Sequence, residues 1–119
     1  MKEYLLLFRG GDARRVDQQQ SPEAWQEHMQ KWNEWMQSLA GQGKLSGAQP
    51  LGKEGKVVSG NGKTVTDGPF IEGKEIVGGY LICKADSFDE AVVIAKNCPI
   101  FEHDGIVEVR EIQSLEMNQ

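Results

Sequence analysis

Alternation of apolar and polar residues divides this chain into short strands set around two helices. Lys2 to Phe8 reads as a strand with Tyr4, Leu6 and Phe8 on one side and Leu5 and Leu7 on the other, so both of its faces are apolar. A strand of that kind needs cover on both sides. Arg9 to Gln20 shows no periodicity, holds Gly10, Gly11 and a glutamine run, and is expected to be an exposed loop. Ser21-Pro22-Glu23 then opens a helix: serine caps it, proline sits where no N–H is needed, and glutamate complements the positive end of the dipole. The helix should run to about Ala40, with Gly41 and Gly43 ending it. Trp25, Met29, Trp32, Met36 and Leu39 recur at helical spacing and are expected to form its core stripe, with His28 and Trp35 beside that stripe at the rim.

A short strand from Lys44 to Gln49 leads through a Pro50-Leu51-Gly52 bend to a hairpin. Its arms are Lys56 to Ser59 and Lys63 to Thr66, and Gly60-Asn61-Gly62 supplies the tight turn that an Asn-Gly step favours. The hairpin delivers the chain to Asp67-Gly68-Pro69-Phe70. An aspartate before a turn commonly bonds the backbone N–H two residues on; here that residue is Pro69, which has none, so the Asp67 carboxylate keeps acceptor capacity on a stiff turn. Glu75 stands at the mouth of the next strand, Ile76 to Cys83, again apolar on both faces and carrying Tyr80, a phenol that needs a hydrogen-bond partner if buried. Ser87 and Glu90 form a capping box for a second helix with Phe88, Ala91, Val92 and Ala95 on one face, closed by Cys98-Pro99. Ile100 to Gly105 reads as a loop carrying Glu102, His103 and Asp104, and Ile106 to Ile112 as a last strand with one wet face.

Strand, helix, strand, hairpin, strand, helix, strand is an α+β plan, the ferredoxin-like βαββαβ arrangement with an inserted β-hairpin. The first and third main strands are central in that plan, and they are the two that are apolar on both faces. Two helices cover only one face of such a sheet, so the other must meet a further layer. A second copy of the chain supplies it most simply, which predicts a homodimer with a cavity between or beside the sheets.

A length of 119 residues is that of one domain, spanning 1–119. A net charge of −5 argues against nucleic acid held through phosphate neutralisation. The longest apolar run near the start, Tyr4 to Phe8, is too short for a membrane span or a signal-peptide core, so no membrane contact and a cytoplasmic location are expected. Cys83 and Cys98 read as reduced packing residues. With two cysteines, and with His28 and His103 far apart along the chain, neither metal nor cofactor is expected.

DGPF at 67–70, the following EGKE and GGYLI, VEVR in the last strand and the S-P-E helix opening resemble the YCII-related family, in its DGPF-domain branch, from Tyr4 to Ile112. The resemblance implies a dimeric α+β barrel. It places Asp67, Gly68, Pro69 and Phe70 on the family's motif and Lys74 and Glu75 on its acidic turn, while Glu111 stands where many members carry proline. In smaller relatives a histidine and aspartate pair in a cavity has been proposed as an active site, and here His28 is the candidate imidazole by its place in the first helix. Genes for such proteins often lie beside, or are fused to, those of extracytoplasmic-function sigma factors.

Three functional readings follow. In the first, the cavity binds a small, partly apolar organic molecule: Trp32, Phe70 and Tyr80 supply contact area, Glu75 and His103 polar contacts, and Asp67 with His28 moves a proton. In the second, the dimer is a non-catalytic binding or regulatory module that recognises a ligand or a protein such as a sigma factor. In the third, DGPF is a stiff corner that shapes the barrel.

Overall fold

Among the described residues, main-chain hydrogen bonding turns the alternating stretches into six strands. The computed structural model describes residues 1–10, 22–52, 54–68 and 77–113. Strand β1 (Lys2–Arg9) is followed by helix α1 (Pro22–Gly41), β2 (Leu45–Pro50), β3 (Lys56–Ser59), β4 (Thr64–Asp67), β5 (Val77–Ala85), helix α2 (Phe88–Lys96), a 3-10 turn (Pro99–His103) and β6 (Ile106–Glu111). The main sheet is antiparallel throughout, in the order β2-β5-β1-β6. That is the ferredoxin-like order, with the two strands apolar on both faces at its centre. The hairpin β3–β4 forms a separate two-stranded sheet.

Period-two alternation sends Tyr4, Leu6 and Phe8 of β1, and Leu81, Cys83 and Ala85 of β5, to the helix-covered face, where they pack with Trp35 and Leu39 of α1 and Ala91, Ile94 and Ala95 of α2. The opposite face carries Leu5 against Ile82 and Leu7 against Tyr80 as register partners, each half-buried. Tyr80 is therefore not enclosed in the core. It belongs to a four-residue apolar block flanked by Gln49, Glu108 and Arg110.

The core stripe of α1 lies to one side of the expected one. Leu39 is buried as expected, and Trp32 and Met36 flank the core, but Met29 is 38% exposed while His28 and Trp35 are buried. The two stripes share Trp32 and Leu39; a tally of apolar residues favours Met29, whereas the fold seats His28 because polar partners meet its ring. On α2, Ile94 takes the buried position expected of Val92, and Phe88, 46% exposed, touches Tyr4 edge-on at 5.3 Å. The Ser87 cap forms as expected, its hydroxyl accepting from the Glu90 N–H at 3.1 Å. The 60–63 turn has Asn61 and Gly62 both at positive φ, the mirror-image turn that matches strand twist.

Candidate functional site

His28, Lys31 and Trp32 stand three and four residues apart on α1 and so share one side of the helix. The 3-10 turn brings Glu102 and His103 to that side. Proline at its first position, buried Ile100 beneath it and Asp104 in a left-handed conformation at its end set this turn where the sequence suggests only a hydrated loop. Gly105 completes it, its N–H donating to the Ile100 carbonyl at 3.1 Å. A methyl group on Gly105 would overlap the Ile100 side chain, with Cδ1 at 2.7 Å. Gly105→Ala is accordingly expected to cost about 1–3 kcal/mol by overpacking and to shift the His103 ring resonances. Thermal melts and imidazole NMR check this, and an unchanged melting temperature would show that the turn has slack.

Glu102 joins the two elements. Its Oε1 accepts from His28 Nδ1 at 3.0 Å and its Oε2 from Lys31 Nζ at 2.6 Å. On the far side of the imidazole, Trp32 Nε1 donates to His28 Nε2 at 3.0 Å. An indole N–H can only donate, so His28 Nε2 presents a lone pair and Nδ1 carries the proton given to Glu102. Trp32 is itself held edge-on by Phe8 at 5.1 Å and Trp35 at 5.8 Å. His28 is thus clamped at both nitrogens by a residue rooted in the core and one at the surface.

His103 lies edge-on to His28, ring centres 4.2 Å apart. Its Nε2 is buried and has no hydrogen-bond partner among the described residues. Burial chiefly pushes its pKa down, the neighbouring His28 imidazole acts in the same direction, and Glu102 opposes. Glu102 is held below the usual carboxylate range first by its bond to Lys31 and then by that to His28. Lys31 is raised in return by Glu102. Buried at His28, the cluster opens to solvent at Glu102, whose side chain is 41% exposed.

Three residues singled out from the sequence, His28, Trp32 and His103, come together. Asp67 stands apart from them at the end of β4 on the separate hairpin sheet, its side chain 65% exposed and ion-paired across the strands with Lys56. Lys56, the residue opposite Asp67 in register, meets its Oδ1 and so uses part of the acceptor capacity that Pro69 leaves on it. Gly68 has φ of 143°, which glycine alone adopts readily, and its N–H donates to the Gly55 carbonyl. Tyr80 is on the uncovered sheet face. Phe70 and Glu75 lie outside the described residues. Glu102 and Lys31 were missed as site residues. Lys31 carried a signal, sitting one turn from His28; Glu102 carried only its adjacency to His103. A hollow of about 500 Å³ at the sheet end, lined by Met1, Glu3, Glu111 and Gln113 among others, includes none of the cluster.

Among the described residues, no helix is long and apolar enough to cross a membrane. No curated protein matches the chain. Among solved structures it is similar to a 5-chloro-2-hydroxyhydroquinone dehydrochlorinase (TftG) from Burkholderia phenoliruptrix AC1100, in complex with 2,5-dihydroxybenzoquinone, at 17% identity and a TM-score of 0.48, over 89% of this chain and 90% of that one. The model of the YCII-related domain matches residues 13–116, nearly the whole sequence. The chain therefore belongs to the YCII-related family.

Proposed function

We propose that this protein binds a small, partly apolar organic molecule against the His28, Glu102 and His103 cluster and moves a proton on it. One observation carries the reading: His103 Nε2 is buried without a hydrogen-bond partner among the described residues, beside an imidazole whose orientation is set from both sides. A buried polar atom left unpaired costs about 1–3 kcal/mol, which a ligand able to pair with it recovers on binding. His28 has both nitrogens engaged, so it positions its neighbour, and His103 is the group free to exchange a proton with a bound molecule. Glu102 supplies the carboxylate that orients His28, in place of Asp67. Trp32 offers apolar contact area. A second copy of the chain, laid on Leu5, Leu7, Tyr80 and Ile82, would complete a homodimer and shield that apolar block from water.

A fragment library of small phenols and carboxylates, followed by NMR of the imidazole and indole resonances, tests the proposal. Hits should shift His28, His103 and Trp32 together. His103→Ala should weaken them at least about tenfold, or about 1.4 kcal/mol. Asp67→Asn should leave both binding and stability almost unchanged, since an exposed ion pair is worth about 0–1 kcal/mol. Loss of binding in Asp67→Asn with retention in His103→Ala would overturn this assignment and return the site to the hairpin. Binding without turnover of any hit would favour the non-catalytic module, for which a sigma factor is the candidate partner.

A further inference from the structure

We propose that His28, Glu102 and His103 together form a binding site for a divalent transition-metal ion of the Zn²⁺ kind. This goes beyond the proton-transfer reading and does not rest on it, because a bound ion would occupy the lone pairs that proton transfer uses. Two imidazoles and one carboxylate are the donor types such an ion takes, and three protein ligands leave a position for water or an oxygen ligand. Along the sequence His28 and His103 gave no reason to expect a metal. Folding removes that objection by bringing their rings into contact.

The distances are close to those a shared ion needs. One donor atom from each residue lies within 4.8 Å of the other two. Ligands of a tetrahedral ion at bonds of about 2.0–2.1 Å stand about 3.3–3.4 Å apart, so a pair at the 4.8 Å limit must close by roughly 1.5 Å. Glu102 is the residue with room to move, since its side chain is 41% exposed. His28 Nδ1 and Glu102 Oε1 are already 3.0 Å apart, close to the roughly 3.3 Å that neighbouring ligands of a tetrahedral ion keep. The buried Nε2 of His103, without a hydrogen-bond partner among the described residues, is a second sign of a missing ligand.

Binding changes the hydrogen bonds in a defined way. When the His28 Nδ1 lone pair goes to the ion, the proton once held there is carried on Nε2, with no net loss of charge from the ring. Nε2 then faces the Trp32 N–H, donor against donor, and that hydrogen bond must open. Two hydrogen bonds, the neutral one from Trp32 and the charge-assisted one from His28 Nδ1 to Glu102, are exchanged for three metal–ligand bonds. Lys31, on the other oxygen of Glu102, opposes the ion by its charge but leaves Oε1 available.

The test uses full-length, tag-free protein stripped with a chelator and titrated with Co²⁺, then with Zn²⁺ in competition. The expected result is one ion per chain, the visible absorption of a low-coordinate Co²⁺ centre with nitrogen and oxygen ligands, and a change in tryptophan emission as Trp32 loses its partner. His103→Ala should bind at least tenfold more weakly, and Lys31→Ala at least as tightly as the parent. Should His103→Ala fail to fold by circular dichroism, Glu102→Gln, at an exposed position, takes its place with the same expected loss. No saturable uptake by the parent protein, or equal uptake by the folded variant, would overturn the proposal. Fragment binding is measured separately in chelator. Retained fragment binding without metal uptake defeats this inference alone, and metal uptake without fragment binding defeats the proton-transfer reading alone.

Discussion

Leu81→Ala is expected to lower the unfolding free energy by about 2–5 kcal/mol and the melting temperature by on the order of 10 °C or more. Leu81 is fully buried on central strand β5, paired with equally buried Leu6 on β1 and with Ala48 on β2. Its removal loses the transfer energy of the missing carbons and leaves a cavity that surrounding strand backbone cannot close. Leu7 is the control. It lies on the uncovered face opposite Tyr80 and is half-buried, so in a single chain Leu7→Ala should cost only about 1 kcal/mol. If a second copy covers that face, the Leu7 variant loses more, and its melting temperature gains a dependence on protein concentration. Urea unfolding of both variants at two concentrations decides the matter. A larger loss for Leu7→Ala that is independent of concentration would mean the helices cover the other face.

The second large effect appears in alkali. Cys98 is 4% exposed at the junction of α2 and the 3-10 turn, and burial pushes its thiol from 9.0 up to about 12. The native state therefore holds this proton more tightly than the unfolded chain. Its contribution to stability is fully present below pH 9.0 and is lost as pH rises from there toward about 12. The slope is at most about 1.4 kcal/mol per pH unit, so roughly 2–3 kcal/mol should be gone by about pH 11. Cys83, also raised chiefly by burial, adds in the same direction. Lysines and tyrosines titrate in this range too, so the informative quantity is the difference between the parent and Cys98→Ala. That variant starts lower, from its small cavity, but should fall less steeply. Parallel curves would show that the thiol titrates normally in the fold. Both thiols should also react slowly with alkylating reagents in the native protein at pH 8.

How much could be read in advance depended on range. Two-sided strands β1 and β5, the Ser87 cap, the Asn61-Gly62 turn and the order of elements were legible because each rests on interactions within a few residues: backbone periodicity, an orphan N–H, a positive φ. From them the ferredoxin-like sheet follows. The site was legible only in part. His28 and His103 stood out as imidazoles, but nothing local says that residues so far apart in the chain meet, and a polarity tally sets His28 outside the stripe that in fact buries it. Asp67 looked unpaired from its own turn, and the strand opposite supplied Lys56. The chain alone determined which segments are strands and helices, and which faces must be covered. Tertiary structure decided that α1 and the 3-10 turn close on one another around Glu102, because that contact depends on how both elements pack against the sheet, and no short-range rule encodes where two such side chains arrive.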